Sequence, residues 1–239
     1  MKTADPDEPP LSPPTQGRVL RRAFCLCAVI CRSFIDEPDN EQCADILSRA
    51  KSWLEDVGTL SELEAWESEC LDAPLGSLDP QTRVNASWTS EGLTVLAWAL
   101  GILDLPAHDT CQDPQVVSAE FDFLHSEASE LFESLELKSG AEIQKGADQA
   151  FALHWRLRQF SLNHEAINLA EFAPTAWFGP LNIDGVPLVD GDLAIAGKTI
   201  SQAPSEQVQM ATSIAMERHR AFNWLLGYDT VYSEVDTST

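Results

Sequence analysis

Five polar residues lie on or beside apolar faces of predicted helices, where they could form a polar centre. His154 falls within the apolar stripe of one helix and His219 within that of another, because positions three or four apart share a helix face. Arg158 and Arg218 lie at the margins of those faces, and Glu91 borders a third apolar stripe. An unpaired buried charge is strongly unfavourable, so each of these groups must find a partner. We therefore predict that the two helices pack together with their histidines on the facing surfaces.

Two interpretations of this polar centre follow from the residue types. In the structural interpretation, His154 and His219 are core histidines that bond to the backbone or to Glu91, and the arginines pair with helix acids. In the functional interpretation, the five residues line a pocket in which a histidine with a perturbed pKa acts as an acid or a base. Metal binding by the two histidines and Glu91 is a third reading, but no spacing fixes such a site. We favour the structural interpretation and predict no metal and no cofactor.

The motifs of the common enzyme classes are absent from the sequence. It has no Gly-rich phosphate loop, no nucleophile elbow and no His-Glu-x-x-His helix. Asp184, Asp190 and Asp192 are spaced like the acids of a calcium loop, but the twelve-residue pattern and its terminal Glu are missing. The question of catalysis therefore stays open, with the balance against an enzyme.

The amino-acid composition is strongly acidic. The chain has 38 acidic and 15 basic residues, which gives a net charge of -23. Phosphate binding needs an attractive field, so this charge argues against nucleic acid and anionic membrane surfaces as partners, and it is compatible with a basic protein partner. The longest apolar run, Ala23–Cys31, is much shorter than the roughly 20 residues of a membrane span. We therefore expect no membrane association; the sequence leaves the oligomeric state open.

The cysteine pattern predicts free thiols. No pair among the six has the Cys-x-x-Cys spacing of a zinc or redox site, and three of them lie in one apolar helix. The six are Cys25, Cys27, Cys31, Cys43, Cys70 and Cys111. Free thiols indicate a reducing compartment, so we predict a cytoplasmic protein.

Hydrophobic periodicity predicts a mostly α fold: a single multi-helix domain over residues 17–239, with one small β-hairpin inserted near residues 183–200. Pro187 places the first strand of that hairpin at an edge. Residues 1–16, rich in proline and acids, are predicted to be a disordered tail. The helices are predicted over residues 18–35, 41–56, 60–71, 80–103, 114–137, 141–163 and 204–226. The helix at 60–71 carries a dense row of acids, which is typical of a solvated face.

Four segments, in this order, carry a resemblance to a known family. They are Trp88 with Glu91-Gly92 and Trp98-Ala99-Leu100-Gly101; Ala152-Leu153-His154-Trp155-Arg156-Leu157-Arg158; Asp192-Leu193-Ala194-Ile195 with Gly197-Lys198-Thr199-Ile200; and Glu217-Arg218-His219 with Phe222-Asn223-Trp224-Leu225. Together with the Arg-rich start of the first helix, they make the chain resemble the bacterial family described as domain of unknown function 4272. The resemblance implies a fold and a cellular setting but no activity.

The sequence alone does not determine a biochemical activity, and two hypotheses remain. The favoured one is a non-catalytic, acidic protein-interaction domain that binds a basic partner, for example one that neutralises a basic nuclease toxin. The alternative is an enzyme or small-ligand binder with a polar pocket around His154 and His219. A solvent-open cavity shared by the two histidines would favour the alternative, and a dry core would favour the first.

Overall fold

Nine α-helices and three short β-strands follow one another along residues 11–239, the part of the chain that this computed structural model describes. The helices are α1 (Gln16–Phe34), α2 (Glu41–Asp56), α3 (Ala65–Asp72), α4 (Pro80–Ala99), α5 (Pro114–Ala119), α6 (Leu131–Ser134), α7 (Gly140–Asn163), α8 (Leu169–Phe172) and α9 (Ser205–Leu225). The strands are β1 (Leu188–Val189), β2 (Asp192–Ile195) and β3 (Lys198–Thr199). The predicted fold class, mostly helical with a small β element, is confirmed.

The N-terminal segment contacts the end of the last helix. Residues 1–10 of the predicted disordered tail lie outside the described residues, and disorder there stays a prediction. Within residues 11–16, the Ser12 amide donates to the Gly227 carbonyl oxygen at 3.2 Å, and Pro14 is buried. Gly227 has a φ of +81°, and a Cβ there would overlap the backbone of Ser12, so glycine is needed at this contact.

Helix α4 lies at the centre of the fold, with α1 and α9 packed against it. It begins in the predicted way, because the Asp79 side chain caps its first turn and Pro80 occupies the first helical position. Its middle is buried on all sides, including the candidate residue Glu91. At Gly92 the ring of Tyr232 approaches so closely that a Cβ would overlap its hydroxyl oxygen. The segment after α9 therefore folds back onto the central helix.

Helix α7 packs against α9 on one side and against the small sheet on the other. The sheet has the order β1-β2-β3 with antiparallel pairing, Leu188 opposite Leu193 and Ala194 opposite Thr199. The predicted hairpin is present, and a third strand follows it after a second tight turn at Ala196 and Gly197. Strand β1, which follows Pro187, lies at an edge as predicted, and the central strand β2 is buried.

The predicted single helix over residues 114–137 is wrong. Helix α5 ends at Ala119, and the chain then reverses through Asp122 and Leu124, both with positive φ, before a 3-10 turn and α6. The cause is tertiary: Phe121 is fully buried and meets the Phe24 ring edge-on, at a centroid distance of 6.3 Å. Burial of aromatic rings on α1 overrides the helical periodicity of this segment.

The acids near α3 are not a solvated face. Glu67 is fully buried and forms an ion pair with Arg22 of α1, while Glu62 pairs with Arg18 at 3.1 Å. Arg22 also donates to the carbonyl oxygen of Glu62 at 3.0 Å. The arginine-rich face of α1 and the acidic segment 62–67 therefore pair with each other, because each would be costly to bury alone.

Helix α1 contains the longest apolar run of the sequence and is almost entirely buried. Within residues 11–239, no helix combines the length and the apolar character that crossing a membrane requires. The apolar run of α1 instead packs on α4 in the protein core.

All six cysteines are free thiols, as predicted. Burial raises the pKa of Cys25 to about 12 and that of Cys31 to about 11, so these thiols stay protonated at neutral pH. Cys111 is the exposed one.

We expect a disulfide-exchange reagent at pH 8 to modify one thiol rapidly in the native protein and all six after denaturation. Cys111→Ser should remove the rapid phase, and its persistence would show that another of the thiols is accessible in the native protein.

The contact between Gly92 and Tyr232 gives a stability prediction. The Tyr232 hydroxyl is buried and has no hydrogen-bond partner among residues 11–239. Removing it in Tyr232→Phe should raise the free energy of unfolding by about 1 kcal/mol, because a buried unsatisfied group is lost. Gly92→Ala should lower it by about 1–3 kcal/mol through overpacking, and the double variant should recover most of that loss.

Chemical denaturation of the four proteins measures this coupling. Gly140→Ala is the control, because nothing lies within 4 Å of a Cβ at that position. Equal destabilisation by Gly92→Ala in the presence and absence of the Tyr232 hydroxyl would refute the contact.

Candidate functional site

His154 and His219 face each other across the interface between α7 and α9, as predicted. Their Nδ1 atoms are 3.1 Å apart, and the residues are only 5% and 3% exposed. The Phe151 ring closes one side, with its centroid 5.7 Å from that of His219. The pair is thus a buried hydrogen-bonded unit between two helices, formed by residues 65 positions apart in the sequence.

The hydrogen-bond network determines which nitrogen of each ring carries the proton. Asn223 Nδ2 donates to the Asp236 carbonyl oxygen at 3.0 Å and lies 3.1 Å from His219 Nε2. Because Nδ2 is only a donor, His219 Nε2 accepts and the ring proton sits on Nδ1. His219 Nδ1 then donates to His154 Nδ1, which leaves the His154 proton on Nε2. Among the described residues, His154 Nε2 has no hydrogen-bond partner.

Burial keeps both rings neutral. Desolvation, together with the smaller effects of His219, Arg158 and Arg220, lowers the pKa of His154 to about 4. Desolvation likewise lowers the pKa of His219 to about 4, although Asp236 acts in the opposite direction. The neutral tautomers described above are therefore the forms present at neutral pH.

Glu91 does not bond to the histidines; it pairs with Arg218. The carboxylate accepts from Arg218 Nε at 2.9 Å and lies 2.8 Å from Nη2, and it also accepts from the Gln112 amide at 2.8 Å. The remaining guanidinium hydrogens reach backbone carbonyl oxygens of the loop after α4, those of Pro106, Ala107 and Thr110. Four hydrogen bonds and the close contact between Nη2 and Glu91 thus engage all three guanidinium nitrogens of Arg218. The suggestion that the histidines bond to Glu91 is therefore wrong.

Arg158 lies on the exposed surface, away from the Glu91–Arg218 ion pair. The buried arginine of α7 is Arg156, which sequence reasoning missed. Its Nε and Nη2 donate to the two carboxylate oxygens of Asp192 at 2.7 and 2.6 Å. The signal was a second apolar face on α7, which includes Ala152 and Phe160 and packs on the sheet.

The described residues around the polar centre and the sheet do not provide a set of metal ligands. The Asp192 carboxylate, one of the three acids with calcium-like spacing, is engaged by Arg156 and by the amides of Ile167 and Leu193. Within residues 11–239, no group of three or more histidine, cysteine or acidic side chains is arranged to hold a metal ion.

A cavity of about 310 Å³ opens beside the polar centre, between α7 and α9. Arg218 is the only one of the five candidate residues that lines it, and the two histidines lie outside its wall. The structure therefore divides the five residues into a histidine pair, an ion pair and an exposed arginine, rather than bringing them into one pocket.

A cluster of aromatic rings at the surface was not recognised from sequence. Trp177, in the loop after α8, is 90% exposed, and its ring meets Phe178 edge-on at 5.3 Å. Trp155 stacks on Phe172 at 4.9 Å and contacts Phe178, which also meets Phe151. We call these five residues the aromatic surface. The consecutive pair Trp177-Phe178 in a Pro- and Gly-containing loop was the available signal.

Comparison with known proteins identifies the family. A family model described as a domain of unknown function (DUF4272) matches residues 4–171, and the chain therefore belongs to this family. The match includes α1 to α7 and two of the four segments that carried the resemblance; the segments in the sheet and α9 lie beyond it. No curated protein and no solved structure matches the chain.

The low pKa values of the histidine pair predict acid sensitivity. Between pH 6.5 and about 4, the unfolded chain binds protons at these histidines that the native state does not. Stability is therefore lost as the pH falls through that window. His154→Leu should reduce this pH dependence. At pH 7 it should also lower the free energy of unfolding by about 1–3 kcal/mol, because the buried Nδ1 proton of His219 loses its acceptor.

Urea unfolding at several pH values between 4 and 7.5 measures both effects. His125→Leu is the control, since His125 is exposed. An unchanged pH profile in the His154→Leu protein would show that the pKa of His154 is not lowered in the native state.

Proposed function

We propose that this member of the DUF4272 family is a non-catalytic, acidic protein-interaction domain, and that its aromatic surface contacts a basic protein partner. The observation that carries the proposal is the 90% exposure of Trp177. An exposed tryptophan joined to further partly exposed rings is typical of an interaction site, because such rings supply large contact area at low entropy cost. Tryptophan is also enriched among the residues that dominate binding energy.

The charge distribution supports a basic partner. The net charge is -23, and four of the fifteen basic residues, Arg22, Arg32, Arg156 and Arg218, are buried in ion pairs with acids. Those pairs are neutral inside the protein, so the excess of acids lies at the surface. Such a field accelerates association with a positively charged protein and disfavours nucleic acid and anionic membranes.

The closure of the polar centre supports a non-catalytic role. The histidines bond to each other and all three guanidinium nitrogens of Arg218 are engaged, so these groups offer little hydrogen-bonding capacity to a substrate. An enzyme or small-ligand binder around His154 and His219 remains the alternative, and the His154 Nε2 proton is the one group of the pair that could serve it. The free thiols support placing the domain in a reducing compartment such as the bacterial cytoplasm.

A photo-crosslinking residue at position 177, introduced in host cells, tests the proposed surface. We expect a specific product with a basic protein. Leu162 is 71% exposed but outside the aromatic surface, so the same residue at position 162 should give no such product.

With that partner purified, Trp177→Ala should weaken binding at least about tenfold. The melting temperature should stay unchanged, because the ring contributes little to the core. Added salt should slow association. Equal products at both positions, an acidic partner or unchanged affinity of Trp177→Ala would refute the proposal.

A further inference from the structure

The cavity between α7 and α9 has the size of a small-molecule site. Its volume of about 310 Å³ lies within the usual range for ligand pockets and is roughly twice the ~150 Å³ that holds a benzene molecule. Two loops cover it: residues 105–108 after α4, and residues 185–187 before β1. Small residues of the two helices, such as Ala150 and Ala215, leave the space open.

Both covering loops are held in place by side chains of the cavity wall. Arg218 donates to two carbonyl oxygens of the 105–108 loop, at 3.0 and 3.2 Å. His108 Nε2 lies 2.7 Å from the carbonyl oxygen of Ala194 in β2, and Gln149 Nε2 donates to that of Asp184 at 2.7 Å. The cavity is therefore preformed, which lowers the ordering cost of binding.

No unpaired charge lines this cavity. Among the described residues, Arg218 is the one permanently charged side chain in the wall; Glu91 neutralises it, and all three of its guanidinium nitrogens are engaged. Among the described residues of the wall, an anion would find no unpaired positive charge and a cation would find no free carboxylate. Because desolvation of an unpaired ion is costly, the cavity suits an uncharged molecule.

Two unused acceptors belong to residues of the wall. A carbonyl oxygen only accepts, so His108 donates from Nε2 to Ala194, and in this tautomer Nδ1 is left as an acceptor. Gln149 uses one hydrogen of its amide nitrogen on Asp184, which leaves Oε1 and the second hydrogen without a partner among the described residues. The other lining residues are mostly apolar.

We propose that this cavity binds a small, uncharged and largely apolar molecule that carries an N–H or O–H donor, about the size of two fused rings. The donor bonds to Gln149 Oε1, and the rings lie between α7 and α9. This site is distinct from the aromatic surface and from the histidine pair. A test of ligand binding here is therefore independent of any test of the proposed interaction function.

Indole is the probe, because it has two fused rings, one N–H and no charge. We expect calorimetry or ligand-observed NMR on the full chain to give a Kd of about 1 mM or tighter. Indene, which has the same shape without the N–H, should bind roughly 3- to 10-fold more weakly. Indole-2-carboxylate, an anion, should not bind measurably. No indole binding, or equal binding of the anion, would overturn the proposal.

Two variants locate the binding. Ala150→Met fills the cavity and should abolish indole binding, whereas Ala141→Met, on the exposed side of the same helix, should leave it unchanged. Gln149→Met keeps the side-chain size and removes one acceptor, so it should reduce the preference for indole over indene. If Ala150→Met fails to fold, this second variant decides: an unchanged preference together with wild-type indole affinity in Gln149→Met would refute the role of the wall acceptors.

Discussion

The ion pair between Glu91 and Arg218 is the contact on which the centre of this protein depends. It joins the middle of α4 to the middle of α9, and the same guanidinium holds three carbonyl oxygens of the loop after α4. A buried pair of this kind is tolerated because all three guanidinium nitrogens are engaged; removing one partner would strand the other charge in the core. The position of α9, the shape of the cavity and the path of residues 105–110 all follow from this arrangement.

The same solution recurs wherever this chain buries an arginine. Arg22 joins α1 to the acids before and within α3, Arg32 meets Asp36, and Arg156 fastens α7 to Asp192 of the sheet. The pairs of Arg22, Arg156 and Arg218 link separate elements, whereas Arg32–Asp36 is a local pair whose arginine also reaches the carbonyl oxygens of Ala73 and Pro74 after α3. The arrangement also removes four arginines from the surface. What faces solvent is a strongly acidic exterior interrupted by an aromatic surface, a combination suited to a basic protein partner.

The polar centre and the open features of the molecule lie in different places. His154 and His219 are neutral, bonded to each other and nearly inaccessible. The cavity lies beside them and is lined by apolar groups and unused acceptors, while Trp177 projects from the loop after α8. Buried polar groups near a cavity are easily mistaken for the groups that would bind a ligand in it. Here Arg218 holds a wall of the cavity, and both proposed binding sites lie in the space and surface that these polar groups leave open.

Local patterns in the sequence determined the helical class, most helix starts and the pairing of the two histidines, because caps and apolar stripes act over a few residues. Asp79-Pro80 and the stripes containing His154 and His219 are examples. Only the tertiary structure decided that Glu91 pairs with Arg218, that Arg156 rather than Arg158 is buried, and that Phe121 breaks the predicted helix. Periodicity identifies which face of a helix is apolar. It does not say that α7 is covered on two sides or which acid meets which arginine, because those contacts join residues far apart in the chain.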